Sequence, residues 1–246
     1  MGDGRGQPKR PSQAGERERS RIRDQFGVVL VLLIITVFFS ISAPNEPWAW
    51  LATTVALAAS LLVALLASGA QRHAVRAGIA LAVIGLGASI IIALTQAGVD
   101  ARRYLSVTSL LLTLLAMGAI IRRVRLHAEI SMLTVLGAVC FYVLLGLTFT
   151  FAFECVGEFG SRAFFTAHEA GTRSDYTYFS FVTMATLGYG DLTAQGGIGR
   201  ALAVTEGLLG QIFLVTAVAA LVGNLGRTRR PMQEINEETS REDRSS

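Results

Sequence analysis

The stretch Asp175 to Asp191, DYTYFSFVTMATLGYGD, decides how the chain is read. Its first half is aromatic and apolar: Tyr176, Tyr178, Phe179, Phe181, Val182 and Met184 suit a short helix packed against other membrane helices. Its second half, TLGYG, reads as an extended strand carrying two glycines. Extended backbone inside a bilayer leaves peptide groups without partners, which is tolerated only where the strand is buried in protein or lines a water path. Gly188 and Gly190 can adopt positive φ at little cost, so successive carbonyls can turn to one side where ordinary alternation would splay them. Thr186 to Gly190 is therefore expected to line something polar, its carbonyl oxygens replacing an ion's water shell.

The segment TMATLGYGD resembles the signature of the potassium channel family, TVGYG. The resemblance implies that the carbonyls of Thr186, Leu187, Gly188, Tyr189 and Gly190, with the Thr186 hydroxyl, form stacked ion sites around a fourfold axis. One copy of the signature per chain implies four chains. Asp191, just after the strand, is implied as a hydrogen-bonding buttress for it. Leu187 stands where valine is usual, but it offers the same carbonyl. Some family members place a glutamate four residues before the filter threonine; here that position is Val182.

Composition sets the broader frame. A 246-residue chain that is 52% hydrophobic, with a mean hydropathy of +0.49, lies outside the range of soluble domains and reads as a multi-span, all-α membrane protein. The net charge of +4 does not point to nucleic acid, because the basic residues sit between apolar spans. Cys140 and Cys155 lie roughly 22 Å apart along one expected helix at 1.5 Å rise per residue, too far to bridge. His73, His127 and His168 are scattered without metal-ligand spacing, and no metal or cofactor is expected beyond a permeant potassium ion. His127 is a weak candidate for sensing internal pH. Arginine outnumbers the single lysine, Lys9, as in a GC-rich bacterial genome.

Apolar spans fall near 26–42, 48–68, 78–97, 104–121, 130–153 and 198–222, each close to the ~20 residues that cross hydrocarbon. The expected fold is six transmembrane helices with a re-entrant pore helix and filter between the fifth and sixth. With both termini inside, 17 basic residues face the cytoplasm and five face out, as the positive-inside rule requires. That places the filter at the outer face of the cell membrane. The first span follows a basic stretch, and a cleaved signal sequence is the alternative for it.

Four regions follow: 1–25, a disordered basic cytoplasmic arm able to meet anionic lipid; 26–127, a four-helix bundle; 128–226, the pore domain; 227–246, a short cytoplasmic tail. Gly85, Gly87, Ala82 and Ala88 in the third span permit close helix packing. Six spans with a pore loop match the architecture of voltage-gated channels, so the fourth span was tested for its charges. A sensor moves several charges, each worth about 2.3 kcal/mol per 100 mV. YLSVTSLLLTLLAMGAII carries none, and the first three spans carry no acidic counterion, so voltage gating by this bundle is expected to be absent or weak.

Two features belong to the outer mouth and the last span. Glu154, Glu158, Glu169 and Asp175 against Arg162 and Arg173 leave two negative charges per chain, able to concentrate cations or merely to be solvated. In the last span, aligning Arg200 with the arginine that opens this helix in the family implies a hinge at Gly210, with packing as the competing role. It also implies cavity positions at Gln211 and Leu214 and an apolar constriction at Val218, Ala219 and Val222. Glu206, ionisable and inside a span, is a functional candidate by default; Ser180 or Thr183 is its expected partner, as a clasp behind the filter or in gating.

The sequence thus reads as a homotetrameric, potassium-selective channel that conducts passively and performs no catalysis. The alternatives are a weakly selective cation channel, motivated by Leu187, a potassium-transport subunit, and a non-conducting modulatory subunit. A tail of about twenty residues is too short for a folded ligand-binding domain, so lipid, tension, pH or another chain is left to supply regulation.

Overall fold

The computed structural model describes residues 13–44, 47–67, scattered helical positions between 76 and 91, 99–126, 132–167 and 171–242. His73, Ala88, His127, His168 and Glu169 lie outside the described residues, so the expectations resting on them have no structural counterpart. Besides the helical positions between 76 and 91, six helices are bounded among the described residues: α1 Gln13–Ser42, α2 Pro47–Ala67, α3 Val99–Leu126, α4 Met132–Phe159, α5 Arg173–Met184 and α6 Gly197–Glu242. Among the described residues the one β feature is an isolated antiparallel bridge between Phe165 and Ala194.

Among the described residues three helical segments are long and apolar enough to cross a membrane: Arg102–Arg122, Val135–Phe159 and Gly197–Gly223. Shorter apolar segments occupy Gly27–Ser42 and Ala52–Val63. The arm expected to be disordered is helical from Gln13. Its Ala, Glu, Gln and Arg residues favour helix, and within α1 no proline separates them from the apolar half, so no separate nucleus is needed. At the other end α6 continues for 46 residues, through much of the expected tail.

The helices preceding the pore region do not form a separate body. Val29 and Leu33 of α1, Leu57 and Leu61 of α2, Leu112 and Ile120 of α3, and Leu144 and Phe151 of α4 share one apolar core. Buried hydroxyls survive in this interior by bonding backward along their own helices: Thr36 to Leu32 O, Ser60 to Ala56 O and Ser106 to Arg102 O, all within 2.8 Å. Gly85 meets α3 so closely that a Cβ there would lie 2.6 Å from Thr108 Cγ2. Arg103, in the first turns of α3, donates from Nε to Glu158 O at the end of α4 and lies over the Phe159 ring. It caps unpaired helix carbonyls there, a role suited to a cation at a helix C-terminus.

Candidate ion-conduction site

The short helix α5 and the strand after it are held from three sides. Its start is set by a capping box: Thr172 Oγ1 accepts from Asp175 N at 3.2 Å, and Asp175 Oδ2 accepts from Thr172 N at 2.8 Å. The Thr172-x-x-Asp175 spacing, which the reading from Asp175 onward passed over, is the sequence signal for this start. The first turn carries Arg173, whose guanidinium donates from Nε and Nη2 to Glu154 Oε1 at 3.3 and 3.2 Å, with both side chains buried. Two of the charges expected to decorate the mouth therefore neutralise each other inside the protein. A third, Asp175, is committed to the cap.

The second support is aromatic. Phe153 of α4, Phe164 and Phe165 of the connecting loop, and Tyr176 and Phe179 of α5 pack with ring centroids 4.8–6.0 Å apart. Such pairs add to burial through their ring geometry. Glycines let the backbone approach this cluster: a Cβ at Gly157 would land on the Tyr176 hydroxyl, and one at Gly146 would lie 2.8 Å from Phe181 Cζ.

The third support comes from α1, and the sequence offered no sign of it. Ser40 and Thr177 share a buried hydroxyl–hydroxyl hydrogen bond at 2.9 Å, and Ser174 Oγ donates to Ile41 O at 2.7 Å. The first helix is thus hydrogen-bonded directly to the helix that carries the strand.

At the end of α5 the chain leaves helical geometry through bonds from Ala185 N to Phe181 O, Thr186 N to Thr183 O and Leu187 N to Val182 O. Positive φ then recurs at every second residue: Thr186 at 57°, Gly188 at 55° and Gly190 at 82°. The two glycines adopt it freely. Thr186 does not, and its left-handed backbone is local strain of the kind held at functional sites. Among the described residues, no backbone–backbone hydrogen bond within the chain serves Gly188 to Leu192, and 185–191 are exposed.

Tyr189 stacks on Tyr178 with centroids 6.4 Å apart and planes within 10°. Asp191 accepts a hydrogen bond from the Tyr178 phenol, and that bond pushes the phenol's pKa above its ordinary value. Beyond it the loop is tied down by Thr166 N to Thr193 O, Gln195 N to Phe164 O and Arg200 Nε to Ala194 O, at 2.8–3.1 Å.

Helix α6 closes the arrangement from behind. Gly210 packs on Met184, and Glu206 is fully buried with Ser180 Oγ 2.5 Å from its Oε1. Thr183, the other expected partner, presents only its carbonyl near Gly207. Gln211, Leu214, Val218, Ala219 and Val222 lie exposed in the single chain. The apolar stretch of α6 is 11% buried, against 56% for α4.

Residues 138–226, which take in α4, α5, the strand and the apolar part of α6, match a family model described as ion channel. The match covers little more than a third of the chain. No curated protein and no solved structure matches. The matched segment is thus similar to an ion channel domain, and with the membrane-length helices it suggests a membrane protein that transports ions.

Proposed function

We propose that four copies of the chain surround one pore and conduct potassium passively, with Thr186, Leu187, Gly188, Tyr189 and Gly190 as the selectivity filter. The observation that carries this reading is the strand itself. Its positive φ at every second residue is the condition under which successive carbonyls can turn to one side, and from Gly188 to Leu192 no backbone–backbone hydrogen bond within the chain engages its peptide groups. At membrane depth such backbone is tolerated where it lines water or is covered by protein, and a carbonyl-lined axis supplies both. Asp191 braces the filter through Tyr178, and Gln211, Leu214, Val218, Ala219 and Val222 line the cavity and its apolar constriction.

The reading extends to six crossings, both termini in the cytoplasm and the filter at the outer face. The span 104–121 has no arginine to move, so voltage does not drive opening. Purified protein in liposomes should pass potassium, and Gly188→Ala should abolish the flux, because alanine resists φ of 55°. Bi-ionic reversal potentials separate a potassium-selective from a weakly selective cation pore. The mass of the detergent-solubilised assembly tests the tetramer, and a monomer would end this reading.

A further inference from the structure

Ser180 Oγ makes two short contacts, 2.7 Å to Gly146 O on α4 and 2.5 Å to Glu206 Oε1 on α6. A serine hydroxyl has one proton. Gly146 O is a carbonyl and has none to give. If Glu206 were ionised, all three oxygens would share a single proton, and one contact would press lone pair against lone pair well inside ordinary separation. Both contacts are satisfied when Ser180 donates to Gly146 O and a protonated Glu206 donates to Ser180. The other carboxyl oxygen, Oε2, agrees: it is buried with no hydrogen-bond partner, a costly condition for an anion and a lesser one for a neutral acid.

Among the described residues no cation is placed against Glu206. The titratable side chain that Glu206 acts on from α4 is Tyr142, which is uncharged. The charged residues of α5, Arg173 and Asp175, are at its far end and already engaged with Glu154 and Thr172. Glu206 sits one turn before Gly210, where α6 touches Met184 at the root of the filter strand.

We propose that Glu206 is a neutral acid whose proton latches the pore-lining helix α6 to α5 and, through Ser180, to α4, and that losing the proton opens this latch and shuts down conduction. The effect on conduction rests on the channel reading above; the protonation does not.

The test is infrared difference spectroscopy of the full chain in liposomes, paired with potassium flux with both sides at the same pH. At neutral pH, Glu206→Gln should remove one protonated-carboxyl stretching band, and Ser180→Ala should shift that band to higher frequency. Wild-type flux should fall roughly tenfold in strongly alkaline buffer, the equivalent of one buried hydrogen bond lost. Glu206→Gln, which cannot ionise, should lose that decline whatever its absolute flux. Absence of a neutral-pH band traceable to Glu206, or a Gln variant that declines in step with wild type, overturns the proposal. If Glu206→Gln does not assemble, Ser180→Ala decides, since an unshifted band also overturns it. Wild-type protein that passes no ions at any pH would instead remove the channel reading, while the band still reports the proton.

Discussion

Gly210 faces Met184 so closely that a Cβ at position 210 would lie 2.8 Å from Met184 Cγ and 3.2 Å from its carbonyl oxygen. Glycine is therefore needed here to let α6 reach the root of the TLGYG segment, the packing role that competes with a hinge at this position. Gly210→Ala should cost about 1–3 kcal/mol through overpacking, read as a lowered midpoint of thermal disassembly. Gly207, three residues earlier, has only Thr183 O at 3.9 Å, so Gly207→Ala should be neutral or stabilising through helix propensity. Equal behaviour of the two variants would argue against the contact.

The buried pair of Arg173 and Glu154 ties the start of α5 to the C-terminal part of α4. Removing one partner leaves the other charged and buried, so Glu154→Gln or Arg173→Met should destabilise by roughly 3–5 kcal/mol. The double variant should recover part of that loss in the same thermal measurement. Because the pair is internal and self-neutralising, the double variant Glu154→Gln/Arg173→Met should leave the salt dependence of conductance unchanged. A change there would return Glu154 to the mouth.

Ser40 and Thr177 join α1 to α5 inside the protein. Ser40→Ala removes one partner of a buried bond and should cost about 1–3 kcal/mol. If α1 steadies the filter through this contact, the variant should also lose flux more readily on heating than it loses helical circular dichroism. Identical loss of both signals would make the bond merely structural.

Tyr178 both stacks on Tyr189 and donates to Asp191. Tyr178→Phe keeps the ring and removes the donor, whereas Tyr178→Ala removes both. Conduction should decay faster in low potassium for Tyr178→Phe than for wild type, and fastest for Tyr178→Ala. Equal decay of wild type and the Phe variant would leave Asp191 without a bracing role through this bond.

The residues of TLGYG signalled their backbone because glycine's freedom is a local property: Gly188 and Gly190 can take positive φ at little cost, and both do. Apolar runs near 20 residues likewise placed α3, α4 and α6, since crossing length depends on hydrophobicity alone. The strain at Thr186 was not legible, because nothing in a threonine signals a left-handed backbone that neighbours impose.

What only the tertiary structure decided is which distant residues meet. Ser40 and Thr177 are separated by 137 positions, and Glu154 and Arg173 by nineteen. Their composition is equally compatible with exposed loop or helix ends. Sequence made Glu206 a candidate because an ionisable side chain in a span is expensive. Its place beneath a hydroxyl already engaged with Gly146 O came from packing, and packing is a many-body outcome that no single stretch of sequence carries.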